Sequence, residues 1–95
     1  MPTYETVFAV PLSLEGEEKQ QSIKSVEDII SGAGGSVTSS QDMGEVKMAY
    51  KVKGHDRAYY HLIKFECPPS GIQQLKKHYN INSNYIRNIV VRDEE

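Results

Sequence analysis

The order Tyr-Glu-Thr-Val-Phe-Ala-Val from Tyr4 to Val10 reads as a strand, and Pro11, with no amide hydrogen to give to a ladder, ends it. Polar positions from Glu15 to Lys24 then lead into Ile23, Val26, Ile29 and Ile30, whose spacing keeps them on one helical stripe. Glu15, Glu17 and Glu18 suit the positive end of that helix's dipole. Gly32, Gly34 and Gly35 supply the left-handed conformations that stop it, and from Ser36 the chain is extended with a polar first half. Gly44 marks a bulge or bend. Beyond it, Val46, Met48, Tyr50 and Val52 are expected on one face, with Lys47, Ala49, Lys51 and Lys53 on the other. Gly54-His55-Asp56-Arg57 is the expected turn, and Ala58 to Cys67 the returning strand.

Alternation in that third strand sets Tyr60, Leu62, Lys64 and Glu66 against Tyr59, His61, Ile63, Phe65 and Cys67, and the second, more apolar set is expected to face helices. Pro68-Pro69-Ser70-Gly71 opens a second helix with Ile72, Leu75 and Tyr79 on its apolar side and Lys76, Lys77 and His78 toward its negative end. Residues 80 to 84 make a turn, Tyr85 to Arg92 a last strand, and Asp93-Glu94-Glu95 a solvated tail. Strand, helix, strand, strand, helix, strand is the α+β split βαβ order of the ferredoxin-like fold, a four-stranded antiparallel sheet with two helices on one face. Right-handed crossovers put the first and third strands in the centre, the fourth beside the first and the second at an edge beside the third. One domain over 1–95 is expected, because so short a chain builds one core.

Composition narrows function only a little. Eleven Lys and Arg against 13 Asp and Glu give a net charge of -2, so any attraction to nucleic acid has to come from cations segregated by position. The start Met1-Pro2-Thr3-Tyr4-Glu5 lacks the basic and apolar segments of a secretory signal, and no stretch approaches a membrane span, so a cytoplasmic location is expected. Cys67 stands alone, which leaves no internal disulfide and no cysteine-based metal site.

Chemistry concentrates in the hairpin. Tyrosines and lysines interleave from Lys47 to Lys64, and a sheet displaying rings and cations can stack bases while neutralising phosphates. The same pattern also fits a plain half-buried sheet. Neither a glycine-rich phosphate loop nor a nucleophile elbow occurs, so catalysis is not expected. His55, His61 and His78 form no ligand motif, and His61 shares the parity of the helix-facing set. Adjacent acids at Glu17-Glu18 and Glu94-Glu95 point apart, as solvated groups do.

Tyr4-Glu5 opening the first strand, Gly44 followed by Lys47-Met48-Ala49-Tyr50, the tyrosine and aliphatic third strand, and Asn84-Tyr85-Ile86-Arg87-Asn88-Ile89-Val90-Val91-Arg92 at the end resemble the bacterial small-subunit ribosomal protein S6 family. The resemblance spans nearly the whole chain. It implies a structural RNA-binding protein, without catalysis or cofactor, that joins the central domain of small-subunit ribosomal RNA together with ribosomal protein S18. Carried over residue by residue, the RNA-contact candidates are Tyr4, Lys47, Tyr50, Arg87 and Arg92, the tyrosines stacking or hydrogen-bonding and the cations acting on phosphate. Val46 stands where the family usually has an arginine, Met48 where it has leucine and Lys51 where it has proline, which removes one guanidinium fork and supplies a charge nearby. The alternative is a ferredoxin-like interaction or regulatory domain that dimerises through Val7, Leu62, Ile89 and Val91 on its open sheet face. An acylphosphatase-type enzyme fits poorly, because the first helix opens with acids that would repel an anion.

Overall fold

In the computed structural model, residues 1–14, 16–82 and 84–93 are described, and the expectations that touch Glu15, Ser83, Glu94 and Glu95 lie outside them. The first strand, β1, runs Thr3–Pro11 and buries Tyr4, Thr6, Phe8 and Val10 on the side of the helices. Helix α1, Glu17–Gly32, turns Ser22, Val26 and Ile30 into the same layer. Of the three glycines expected to be left-handed only Gly34 is, at φ 90°, while Gly32 is the helix's last residue. Gly34 donates to the carbonyl of Ser31 and Gly35 to that of Ile30 at 2.9 Å, so two orphan carbonyls of the last turn are satisfied.

Strand β2 spans Ser36–Val52, β3 spans His55–Glu66, helix α2 spans Pro69–Ile81 and β4 spans Arg87–Arg92. The sheet order is β2-β3-β1-β4 with every pairing antiparallel, as the crossover rule requires. Phe8, Val26, Ile30, Ile63, Phe65, Leu75, Tyr79 and Tyr85 form the core between helices and sheet. The expected helix-facing set of β3 is in place, with His61, Ile63 and Phe65 buried.

Polar groups inside this core are largely satisfied. Thr6 Oγ1 lies 2.8 Å from Tyr79 Oη and 3.0 Å from the Ile89 carbonyl. Tyr85 donates its hydroxyl to the Ser22 carbonyl at 2.7 Å and meets His78 Nε2 at 2.9 Å, and burial pushes its pKa up to about 12. His61 Nε2 reaches Ser40 Oγ at 2.7 Å, while its Nδ1 is buried with no hydrogen-bond partner among the described residues.

Three expectations change. The turn is Lys53-Gly54 and not residues 54 to 57: both have positive φ, 52° and 82°, which matches the right-handed twist of the flanking strands, so Val52 pairs directly with His55. Helix α2 continues through Ile81, so Lys76 and Lys77 sit before its last turn, where His78 is the basic residue. Tyr85 and Ile86 precede β4 instead of belonging to it, because the Tyr85 ring turns edge-on to Tyr79 (5.0 Å, 80°) and is drawn into the core.

Candidate nucleic-acid interface

Strand β2 has 17 residues against 12 in β3, so the pairing has to absorb five extra residues. One is taken up between Val37 and Ser39 and another between Asp42 and Gly44, where Gly44 adopts φ 77° and donates its amide to Asp42 Oδ1 at 2.8 Å. That hydrogen bond, together with Lys19 at 3.2 Å, lowers the pKa of Asp42. The largest shift lies near the hairpin end. Lys47 pairs with Arg57 and Val52 with His55, so Met48, Ala49, Tyr50 and Lys51 bulge opposite Asp56 alone.

This bulge overturns the expected alternation of Val46, Met48, Tyr50 and Val52. Met48 is only 6% exposed and packs with Ala9, Ala58 and Ile86 in a second apolar cluster, whereas Tyr50 is thrown outward and is 72% exposed. A ladder would have kept both on one face; burial of a methionine on the bare end of the sheet favours the bulge. Lys53 reinforces the docking by donating from Nζ to the Tyr85 carbonyl at 3.4 Å.

The five candidates of the sequence divide into two groups. Tyr50 rides on the bulge and Lys47 on the ladder pair just before it, and the Met48 cluster docks this end of the hairpin where Ala9 pairs with Arg87. Tyr4 and Arg92 pair with each other five positions further along β1, roughly 17 Å away. Tyr4 is buried, its ring stacked on Phe65 at 5.7 Å, while Arg92 is exposed. Arg87 points to the open face and Tyr4 to the helices.

Charge is distributed unevenly over this surface. Arg57 is matched by Glu45 at 2.9 Å, Lys64 by Glu5 at 3.3 Å and Lys19 by Asp42, while Lys47, Lys51 and Arg87 have no ion pair among the described residues. Lys51, noted in the sequence only as a nearby charge, was left out of the candidates because a regular ladder gives no reason to group it with Tyr50, whereas the bulge carries both. The length mismatch of the two arms was the signal that could have found it. Along the rest of the open face, Val7 and Leu62 are half-buried and Ile89 and Val91 exposed. Among the described residues no group of His, Cys, Asp and Glu could hold a metal ion, and no helix is long and apolar enough to cross a membrane.

Comparison with known proteins agrees with this architecture. The family model for ribosomal protein S6 matches residues 3–92. Small ribosomal subunit protein bS6 of Helicobacter acinonychis (strain Sheeba) is 36% identical over 92 residues, covering 97% of this chain and 65% of the relative. Its counterpart in Helicobacter pylori (strain G27) is also 36% identical, over 99% of this chain and 66% of its own length, so the chain spans just under two thirds of these relatives. The protein of the same name from Protochlamydia amoebophila (strain UWE25) is 29% identical and is covered over 81% of its length. The crystal structure of 30S ribosomal protein S6 from Thermotoga maritima superposes with a TM-score of 0.92 at 27% identity, covering 97% of this chain and 87% of that one. The chain is therefore a member of the ribosomal protein S6 family, structural proteins of the small ribosomal subunit, cytoplasmic in bacteria, and not enzymes.

Proposed function

We propose that this chain binds the central domain of small-subunit ribosomal RNA together with ribosomal protein S18, and thereby supports subunit assembly and translation. The observation that carries the reading is the bulge: an exposed tyrosine flanked by Lys47 and Lys51, neither of which has an ion pair among the described residues, on an otherwise mildly acidic chain. Tyr50 offers a ring on which a base stacks, and the lysines meet the phosphates on either side. Arg87 extends the cationic surface toward β4. Arg92 and Tyr4 mark a second contact at the far end, where Tyr4 contributes through its rim because its ring is packed on Phe65. The apolar strip of Val7, Leu62, Ile89 and Val91 is the surface for S18.

A titration of a central-domain RNA fragment in the presence of S18, over a series of salt concentrations, tests this. Affinity should fall as salt rises, and Lys47→Ala or Lys51→Ala, each withdrawing one ammonium group from a phosphate, should reduce the log-log slope by about 0.9 or less. Tyr50→Ala should weaken binding by about 1–3 kcal/mol with little change of slope. No binding with S18 present, or an affinity indifferent to salt, refutes the reading. Self-association through the strip without any RNA affinity would favour the interaction-domain alternative.

A further inference from the structure

Strand β4 differs from the opposite edge of the sheet in a way that the RNA reading does not use. Edge strands are ordinarily blunted by bulges, prolines or inward charges. The β2 edge carries three register shifts, whereas β4 pairs with β1 without interruption from Arg87 to Arg92 and contains neither glycine nor proline. Its outer backbone is therefore a straight, regular template.

Which groups face outward follows from the ladder. The Asp93 amide donates to the Thr3 carbonyl at 2.8 Å, and the Ile89 carbonyl accepts from Thr6 Oγ1, so odd-numbered residues aim their backbone at β1. Asn88, Val90 and Arg92 then present their N–H and C=O groups outward. Two such edges pair antiparallel only when even-numbered residues lie opposite even-numbered residues.

We propose that β4 forms a two-fold symmetric pair with β4 of a second copy of this chain, with the axis at Val90. In that register Ile89 lies opposite Val91 of the second copy, twice, and Arg87 opposite Asp93 of the second copy, twice. The exposed apolar side chains of the edge, 54% and 44% exposed, cover each other, and two charges without ion pairs among the described residues are matched. Sliding by one step either way destroys this. One neighbouring register puts Ile89 against Ile89 and Arg87 against Val91; the other puts Ile89 against Asp93. The segment Arg87-Asn88-Ile89-Val90-Val91-Arg92-Asp93 is thus complementary to itself at a single register, as an isologous contact requires. The product is one continuous sheet made of two four-stranded halves, with all helices on the same side. A contact of one strand pair is smaller than standard interfaces, so the dimer is weak and rises with concentration. Because the reading above also uses Arg87 for RNA and Ile89 and Val91 for S18, the dimer is a form of the chain free of both.

Cysteine trapping reads the register directly. Ile89 and Val91 would form pairs with Cα atoms about 4.5 Å apart, inside the range that a disulfide spans. Under mild oxidation a mixture of Ile89→Cys and Val91→Cys chains should yield disulfide-linked dimers, and either variant alone should yield several-fold fewer. No cross-link in the mixture, or equally efficient cross-linking of one variant alone, overturns the proposal. Sedimentation equilibrium adds the charges: Arg87→Asp should weaken self-association about tenfold, and Arg87→Asp/Asp93→Arg should restore it, with circular dichroism verifying that each variant is folded. A chain that stays monomeric at roughly 1 mM, or an Arg87→Asp variant that associates unchanged, also overturns it.

Discussion

Replacing Thr6 by valine tests the polar centre of the core with almost no change of shape. Thr6 is fully buried, and its hydroxyl lies 2.8 Å from the hydroxyl of Tyr79, itself 3% exposed. Valine removes the hydroxyl and leaves the tyrosine oxygen in an apolar surround, where an unpaired polar group costs about 1–3 kcal/mol. Burial already pushes the Tyr79 pKa upward, which agrees with poor access to water. The second bond of Thr6, to the Ile89 carbonyl at 3.0 Å, adds a smaller loss because that carbonyl keeps another lone pair. Together Thr6→Val should cost about 2 kcal/mol. Tyr79→Phe should cost less, about 1 kcal/mol, since Thr6 keeps Ile89 as its acceptor. The double variant, which orphans nothing, should be more stable than the sum of the two losses implies, with a coupling of about 1 kcal/mol. For a domain of this size the urea slope is on the order of 1 kcal/mol/M, so the Thr6→Val midpoint falls by roughly 2 M at constant slope. Equilibrium unfolding in urea, followed by circular dichroism, measures this. A Thr6→Val loss under about 0.5 kcal/mol, or strict additivity in the double variant, would refute the assignment of an orphaned hydroxyl.

Three further outcomes are expected. Burial lowers the pKa of both His61 and His78 from 6.5, so as pH falls through that value the unfolded chain takes up protons first and stability drops; the urea midpoint should be lower at pH 5.5 than at pH 7.5, and equal midpoints would contradict the buried neutral imidazoles. The depressed Asp42 acts in the same sense, its contribution being lost as pH falls, but only around and below its ordinary value of 3.8, outside that window. Gly71→Ala should cost about 1–3 kcal/mol in thermal or urea unfolding, because a methyl group there meets Cys67 Sγ and Ala33 Cβ, and Cys67→Ala should recover part of it; a neutral Gly71→Ala would mean that α2 can shift freely. Met48→Ala should speed amide exchange over residues 47 to 57 far more than in β1, by an opening energy lowered about 2 kcal/mol, and a uniform change across the sheet would show that the hairpin end is not separately docked.

Most of the fold was legible in the sequence because period and punctuation agreed. Pro11 closed β1, Gly34 and Gly35 closed α1, and the apolar parity of β3 named the face that lies under the helices. Strand order followed from handedness alone. What escaped was decided by tertiary packing. Residues 46 to 52 alternate well enough for a ladder, yet the bare patch around Ala9 and Ala58 captures Met48 and bends the strand. Tyr85 looks like the first residue of a strand and is instead a core residue, held by Ser22, His78 and Tyr79. The candidate interface suffered most from this, since Lys51 shares the bulge with Tyr50 only after the register slips. Tyr4, chosen for its ring, turned out to have that ring packed on Phe65.

The pairing of β1 with both β3 and β4 also sets an order of events during synthesis. β1 is made well before β4, which pairs with its second edge. At about 5–20 residues per second, roughly 4 to 15 s separate Pro11 from Arg87 leaving the site of peptide-bond formation. Throughout that interval the central strand has one edge unpaired, and no amount of helix packing can close it. A nascent chain arrested short of Arg87 should thus remain sensitive to proteases and to aggregation, and protection should appear only once residues 87 to 92 have emerged.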